Sequence, residues 1–168
     1  MNIELYQRSP YEVSTDPARL DIAAVHDYLR RSYWAEDIPL DIARRSLEAS
    51  LCFGLFGPDP TRQIGLVRVI TDRATFAYVC DVYVLSEYQG RGLGRWLMEC
   101  VMGSPQLQGL RRWMLVTQSA HRLYEPFGFR VTATPGRVME IVRPGLYRSG
   151  DAAGGIAQAT QPTRSTDG

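Results

Sequence analysis

Long apolar runs, an excess of one charge and a cysteine framework are all missing from this sequence of 168 residues. No stretch approaches the roughly 18 apolar residues of a membrane-spanning helix, and the first residues have no basic lead followed by an apolar segment. Nineteen basic and eighteen acidic residues nearly cancel, and no basic run suits a phosphate backbone. We therefore expect a cytoplasmic protein whose partners include neither a membrane nor a nucleic acid.

Cysteine is scarce, because Cys52, Cys80 and Cys100 are the only three and lie far apart. An odd number at such spacing excludes a disulfide framework and a C-x-x-C metal or redox site. The apolar surroundings of each thiol predict buried, reduced side chains. We expect no metal cofactor.

A hydrophobic fraction of 45% is enough to build a core, and the length fits one domain. We expect residues 1–148 to form that domain. From Ser149 onward the sequence is small, polar and without period, which predicts a flexible tail over residues 149–168.

Hydrophobic periodicity predicts both strands and helices. The strands are predicted over residues 3–8, 51–56, 63–70, 76–84, 113–116 and 138–142. The helices are predicted over residues 16–31, where Asp16 and Pro17 resemble an N-cap and a first helical position, then from Pro39, from Leu93 and over residues 121–127. Turn residues at positions 57–60 separate the second and third strands, so these strands should form a hairpin.

The segment QGRGLGR, residues 89–95, lies between the long strand 76–84 and an amphipathic helix. Glycines let a ligand approach the backbone, and the N–H groups and dipole at a helix start favour an anion such as a pyrophosphate. The spacing is G-x-G-x-G with no acidic residue about 20 positions further on, which disfavours a Rossmann dinucleotide site. A P-loop is excluded because G-K-[ST] is absent.

These residues resemble the signature of the GNAT superfamily of N-acetyltransferases, Q/R-x-x-G-x-G/A after a long strand, which Gln89, Gly92 and Gly94 match without substitution. The unit Val82-Tyr83-Val84 occupies the place of the family's apolar-x-Val sequence. A second family signature, a short helix that ends in Tyr and is followed by Gly-Phe, is matched by Tyr124 and Gly128-Phe129. The order of predicted elements from residue 3 to 142 agrees with the family as well.

The resemblance implies an α/β (α+β) fold with a mixed, mostly antiparallel sheet of six to seven strands, flanked by helices and splayed between its fourth and fifth strands. The splay opens a cleft for acetyl-CoA, the implied co-substrate. Backbone groups of Val82, Tyr83 and Val84 would bind the pantetheine arm, and Tyr124 would protonate the departing thiolate. The pyrophosphate would be held by Gln89, Gly90, Arg91, Gly92, Leu93, Gly94 and Arg95.

The acceptor side needs a group that removes a proton, because roughly one primary ammonium in a few thousand is neutral at pH 7. Asp81 on the long strand is a candidate through a water relay, and a satisfied buried carboxylate is the competing interpretation. Glu36 and Asp37 lie on the loop that the resemblance makes the acceptor wall. They are candidates for the base or for an ammonium anchor, against the interpretation as solvated surface acids.

We therefore expect an acetyl-CoA-dependent N-acetyltransferase that acts by direct transfer in a ternary complex. The acceptor would be a primary amine of a small molecule or a peptide. The alternative is a non-catalytic acyl-CoA-binding sensor on the same fold, which would not need Tyr124 as a proton donor. The sequence identifies neither the acceptor nor the oligomeric state, and a homodimer is compatible with it.

Overall fold

A computed structural model describes residues 2–143 and 145–147 of the chain. The expected tail over residues 149–168 lies outside the described residues, as does residue 148 at the expected end of the domain. Within the described residues the strands are Leu5–Arg8 (β1), Tyr11–Ser14 (β2), Leu51–Phe56 (β3), Gln63–Thr71 (β4), Phe76–Val84 (β5) and Arg112–Met114 (β6). The α-helices there are Ile22–Leu29 (α1), Leu40–Glu48 (α2), Leu93–Gly103 (α3) and His121–Tyr124 (α4).

The strands form one sheet in the order β1-β2-β3-β4-β5-β6. Neighbouring strands are antiparallel, except that β5 and β6 are parallel. Helices α1 and α2 pack on one face of the sheet, and α3 packs on the other with α4 beside it. The expected mixed, mostly antiparallel sheet flanked by helices is confirmed, with six strands in the described part of the chain.

Apolar layers on both faces hold the sheet in place. On one face, buried residues of α3 such as Leu97 and Met98 contact the sheet core, because its apolar residues recur at helical spacing. On the other face, Val25 and Leu29 of α1 and Leu47 of α2 do the same. A sheet buried on both faces needs apolar residues at successive positions, and every residue of β3 is indeed buried.

The first helix begins later than the sequence predicts. The Asp16 carboxylate accepts a hydrogen bond from the Ala18 N–H at 2.9 Å, but it caps only a 3₁₀ turn over Pro17–Arg19. Helix α1 starts at Ile22, where the Asp21 carboxylate accepts from the Ala24 N–H. Both aspartates cap a helical turn, but the first one, Asp16, precedes the 3₁₀ turn and not the α-helix.

Strand assignments differ at both ends of the sheet. Strand β2, which pairs with β1 in a hairpin, was not predicted, since its alternating run has only four residues and directly follows Pro10. Strand β6 covers Arg112–Met114 and not residues 113–116. Residues 138–142 form no strand, and Met139 and Ile141 are 95% and 92% exposed. An alternating apolar pattern needs a neighbouring strand edge, and no strand of the described part of the chain pairs with this segment.

The helices themselves are short. In the residues that the structure describes, none is long and apolar enough to cross a membrane.

Buried phenols and thiols make the fold sensitive to high pH. Burial raises the pKa of Tyr124 and of Cys52, Cys80 and Cys100 to about 12, and it raises the pKa of Tyr83 as well. Each group loses its proton more readily in the unfolded chain, so its contribution to stability is complete below about pH 9 and is lost as the pH rises toward 12. The chain contains no lysine, which removes the other group that titrates in this window.

We predict that the melting temperature stays level between about pH 7 and 8.5 and falls by at least about 5 °C by pH 10.5, since 1 kcal/mol shifts it by roughly 3 °C in a domain of this size. Calorimetry across this range measures the effect. A melting temperature that does not change up to pH 10.5 would contradict the burial of these protonated groups.

Candidate active site

The glycine-rich turn joins β5 to α3 in a backbone conformation that favours glycine. The φ angles are +76° at Gly90 and +73° at Gly92, in the left-handed region where a Cβ is strained. Gly92 is the N-cap of α3 and brings no side-chain oxygen to the helix start. The first N–H groups of α3 therefore have no side-chain cap, and such groups at a helix start bind anions.

Open space lies in front of this turn. A Cβ at Gly90 would meet no atom within 4 Å, and one at Gly92 would meet only the Arg8 guanidinium, at 3.9 Å. A groove of about 320 Å³ runs beside the turn and is lined by Arg8, Gly92, Arg95, Trp96 and Glu99. Although Arg95 is ion-paired with Glu99 at 3.0 Å, the open amides and the Arg8 guanidinium fit a pyrophosphate group.

Two side chains of the turn have contacts that hold it in shape. The Gln89 side-chain amide donates to the Val84 carbonyl at 2.8 Å and fixes the turn to the end of β5. The Arg91 guanidinium donates to the Tyr11 hydroxyl and to the Glu87 carbonyl, both at 3.0 Å. These two residues thus brace the turn, whatever contact they make with a ligand.

Arg8 was not among the predicted site residues. It is the last residue of β1, and its guanidinium lies 6.0 Å from the centre of the Trp96 ring of α3. No local motif marks it, because only the order of the sheet brings the first strand beside the start of α3.

Strands β5 and β6 separate after a short contact. They pair only where Phe76–Tyr78 meets Arg112–Met114, although β5 continues to Val84. Beyond Tyr78 no strand of the described residues pairs with β5 on that side. This separation is the splay expected between the fourth and fifth strands of the sequence prediction, and it leaves a backbone edge open to a ligand.

An extra residue in β5 forms a bulge near the end of this pairing. Asp81 and Val82 together lie opposite the single residue Val67 of β4, as the flanking pairs Leu66–Tyr83 and Arg68–Cys80 show. The φ angle of Asp81 is +50°, in the left-handed region that Asp enters more readily than most residues. A bulge bends its strand and increases the local twist.

The bulge also changes which side chains face α3. Before it, Ala77 and Val79 belong to the apolar layer with α3, whereas after it Val82 and Val84 do so. Tyr83 lies on the opposite face, where its ring stacks on that of Tyr28 with a centroid distance of 3.7 Å. The two valines of the predicted pantetheine-binding unit therefore face the same layer as the start of α3.

Asp81 is buried and both of its carboxylate oxygens have partners. Oδ2 lies 2.6 Å from the Arg68 Nε, and Oδ1 accepts a hydrogen bond from the Trp34 indole N–H at 3.1 Å. The Arg68 guanidinium also donates to the Ser50 hydroxyl at 3.3 Å. This arrangement matches the interpretation of Asp81 as a satisfied buried carboxylate, and it links β5 to the loop between α1 and α2.

Tyr124 ends α4 and is buried in the same layer as Val84 and Leu93. Its ring contacts Phe129 edge to face at a centroid distance of 6.0 Å. Burial raises the pKa of Tyr124 to about 12, with a smaller contribution from Tyr33. With this pKa the phenol stays protonated at neutral pH and has a proton to donate. No described residue hydrogen-bonds its hydroxyl.

The loop of residues 32–37, hereafter the acceptor loop, carries the remaining candidates. Glu36 and Asp37 are both exposed on it. The loop is fixed at its two ends, by the Trp34–Asp81 hydrogen bond and by a 2.9 Å contact of the His26 Nε2 with the Ile38 carbonyl. Within the described part of the chain, no three His, Cys, Asp or Glu side chains are placed to hold a metal ion.

Comparison with known proteins agrees with this geometry. The family model for an acetyltransferase (GNAT) domain matches residues 58–131, a range that holds β4 to α4. A candidate acetyltransferase from Gibberella zeae is 41% identical over 140 residues, which is 71% of this chain and 78% of that protein. The match therefore extends into the first half of the chain.

Solved structures give the same result. The crystal structure of a candidate acetyltransferase of the GNAT family from Xanthomonas campestris pv. campestris is 49% identical, with a TM-score of 0.78 over 82% of this chain and 96% of that one. A predicted acetyltransferase from Clostridium acetobutylicum, crystallised with acetyl-CoA, is 14% identical with a TM-score of 0.55 over 79% of this chain and 94% of that one. The second likeness concerns the fold alone.

We predict that Gly92→Asp weakens the binding of coenzyme A by at least about 100-fold, because a carboxylate at the helix start repels a pyrophosphate. Gly109→Asp is the matched control, since Gly109 has φ +76° and nothing within 4 Å of a Cβ position. Calorimetric titration of both variants measures the affinity. If Gly92→Asp folds and binds coenzyme A as tightly as Gly109→Asp, the turn is not the anion site.

Proposed function

The chain belongs to the GNAT family of acetyltransferases, and from that membership we propose that it transfers the acetyl group of acetyl-CoA to a primary amine, directly and within a ternary complex. The observation that carries the proposal is a convergence of three elements. A Cβ placed on Gly94, in the first turn of α3, would lie 4.0 Å from the Leu123 side chain of α4 and 4.0 Å from the Val84 side chain of β5. The anion site, the open strand edge and Tyr124 are thus close enough to serve one ligand.

On the donor side, acetyl-CoA would supply an activated acetyl thioester. The N–H groups at the start of α3 and the Arg8 guanidinium would bind its pyrophosphate, and the backbone of Val82–Val84 would bind its pantetheine amides. One lone pair of the Val84 carbonyl already accepts from Gln89, which leaves the other for a ligand. The presence of acetyl-CoA in the Clostridium acetobutylicum protein of the same fold supports this donor.

Tyr124 would give its proton to the departing thiolate. A phenol with a pKa of about 12 is a weak acid toward a thiol in water, whose usual pKa is near 9. Burial, however, raises the pKa of a thiol by a similar amount, as it does for Cys100 in this protein, whose pKa reaches about 12. Proton transfer between two groups that are equally desolvated is close to balanced, so the buried phenol suits a buried thiolate.

The acceptor has to lose a proton before it attacks, at a cost of about 4–5 kcal/mol for an alkylammonium at pH 7. We assign this proton, directly or through water, to the exposed acceptor loop, where Glu36 and Asp37 supply carboxylates. Asp81 is less suited, because Arg68 and Trp34 engage both of its oxygens.

Direct transfer is supported by the state of the cysteines. All three are free thiols, and burial raises the pKa of each to about 12. A thiol acts as a nucleophile only as its thiolate, so none of them suits a covalent acyl intermediate. Free thiols also support the expected cytoplasmic location.

We predict that Tyr124→Phe keeps the fold and the affinity for coenzyme A but lowers the single-turnover rate by about 10²–10⁴-fold, or roughly 3–5 kcal/mol of transition-state stabilisation. The rate is measured as thiol release with an amine that a library screen identifies. Because the chain has no lysine, release without added amine reports little besides hydrolysis.

The control for this variant is Tyr6→Phe, which removes a phenol on β1 that donates to the Glu4 carboxylate and does not line the groove beside the glycine turn. Its rate should stay close to that of the unaltered protein. A Tyr124→Phe rate within about threefold of the unaltered protein, less than 1 kcal/mol, would mean that water or another residue protonates the thiolate.

A further inference from the structure

The acceptor loop presents an aromatic surface to solvent. Tyr33 is 61% exposed and Trp34 is 42% exposed, whereas every other aromatic side chain of the described residues is buried or half-buried. The two rings meet edge to face at a centroid distance of 4.9 Å. The contact between the two rings removes only part of their apolar surface from water. A further apolar or aromatic group that packs against them would bury more of it, which is energetically favourable.

Trp34 is held in place although much of it is exposed. Its indole N–H donates to Asp81, which is itself fixed by Arg68 in a buried ion pair. Its ring also lies 6.5 Å from that of Tyr28, which stacks on Tyr83 of β5. The position of Trp34 is therefore tied to β5 through Asp81.

The same loop lies close to the proposed donor site. Trp34 hydrogen-bonds Asp81, the residue just before Val82 on β5, which places the Tyr33–Trp34 pair beside the open edge of that strand. A substrate bound against this pair is thus within reach of the cleft.

We infer that Tyr33 and Trp34 form the acceptor-binding wall, that they select a primary alkylamine bearing an aromatic substituent, and that Asp81 positions this wall through Trp34. The inference rests on the proposed acetyl transfer. An ammonium attracted to the rings would lose that attraction when it becomes the neutral nucleophile, whereas contact with an aromatic substituent persists in the transition state. The wall therefore favours an aromatic substituent over a bare charge.

The first test compares 2-phenylethylamine with 2-cyclohexylethylamine, two primary amines of similar shape that differ in the aromatic character of the ring. With acetyl-CoA as donor, kcat/KM should be about three- to tenfold higher for the aromatic amine, the range of a good aromatic contact. The ratio of kcat/KM for the aromatic amine to that for the cyclohexyl amine should fall in Tyr33→Leu and in Trp34→Leu. Dividing each variant's ratio by that of the unaltered protein cancels the intrinsic difference between the amines.

The control for this comparison is Ile3→Ala, which removes a 60% exposed apolar side chain just before β1, the strand at the opposite edge of the sheet, and should leave the ratio unchanged. A ratio that is equal in the unaltered protein and both loop variants overturns the aromatic wall. If neither amine is acetylated while coenzyme A still binds, the aromatic acceptor is wrong, and the transfer itself is judged by the Tyr124 variant with other amines.

The second test asks whether Asp81 positions the wall or removes the proton. Trp34→Phe removes the N–H donor, keeps a smaller aromatic ring and leaves the Arg68–Asp81 pair intact, so it is informative even if Asp81→Asn is poorly folded. Both variants should raise KM for 2-phenylethylamine at least about fivefold, change kcat by less than threefold and keep the pH profile of kcat. Their effects on KM should be less than additive in the double variant, since both disturb the Trp34–Asp81 contact.

A base would behave differently. If Asp81→Asn abolishes kcat or removes the acidic limb of its pH profile while Trp34→Phe does not, then Asp81 is the proton acceptor and the positioning role is wrong.

Discussion

The bulge at Asp81 is the constraint on which both halves of the site depend. The last residue of β5 that pairs with β6 is Tyr78, and the bulge begins three residues later, at Asp81. Because two residues of β5 lie opposite Val67 there, the strand bends, and its side chains exchange the faces of the sheet to which they point. The bend leaves a stretch of β5 backbone without a neighbouring strand, and buried backbone groups are seldom left without partners. A ligand with amide groups of its own is the natural partner for that edge.

The residue at the bulge also couples this edge to the acceptor loop. A buried ion pair such as Arg68–Asp81 adds little net stability, but removal of one partner costs about 3–5 kcal/mol because the other charge stays buried. Its effect is therefore to fix geometry: Arg68 holds Asp81, and Asp81 holds Trp34. Strand β5 thus presents its open edge on one side, where we propose that the donor binds, and holds the aromatic loop through Asp81.

Features that depend on local spacing could be predicted from the sequence, and features that depend on register could not. The glycine turn, Tyr124 and the β3–β4 hairpin follow from residues a few positions apart. The bulge, the Arg8 contact with the start of α3 and the Trp34–Asp81 hydrogen bond join residues that only the sheet brings together. The apolar alternation of residues 138–142 indicates strand propensity, but it does not supply the neighbouring edge that a strand needs.

The central claim is that the open edge of β5 and the start of α3 form one donor site. Hydrogen–deuterium exchange with and without coenzyme A tests it most directly, because it reports on backbone N–H groups residue by residue. The account predicts slower exchange on binding along residues 79–84 and 90–96, with little change in β3 and α2. Protection of those two elements, or coenzyme A binding that leaves residues 79–84 unprotected, would contradict it.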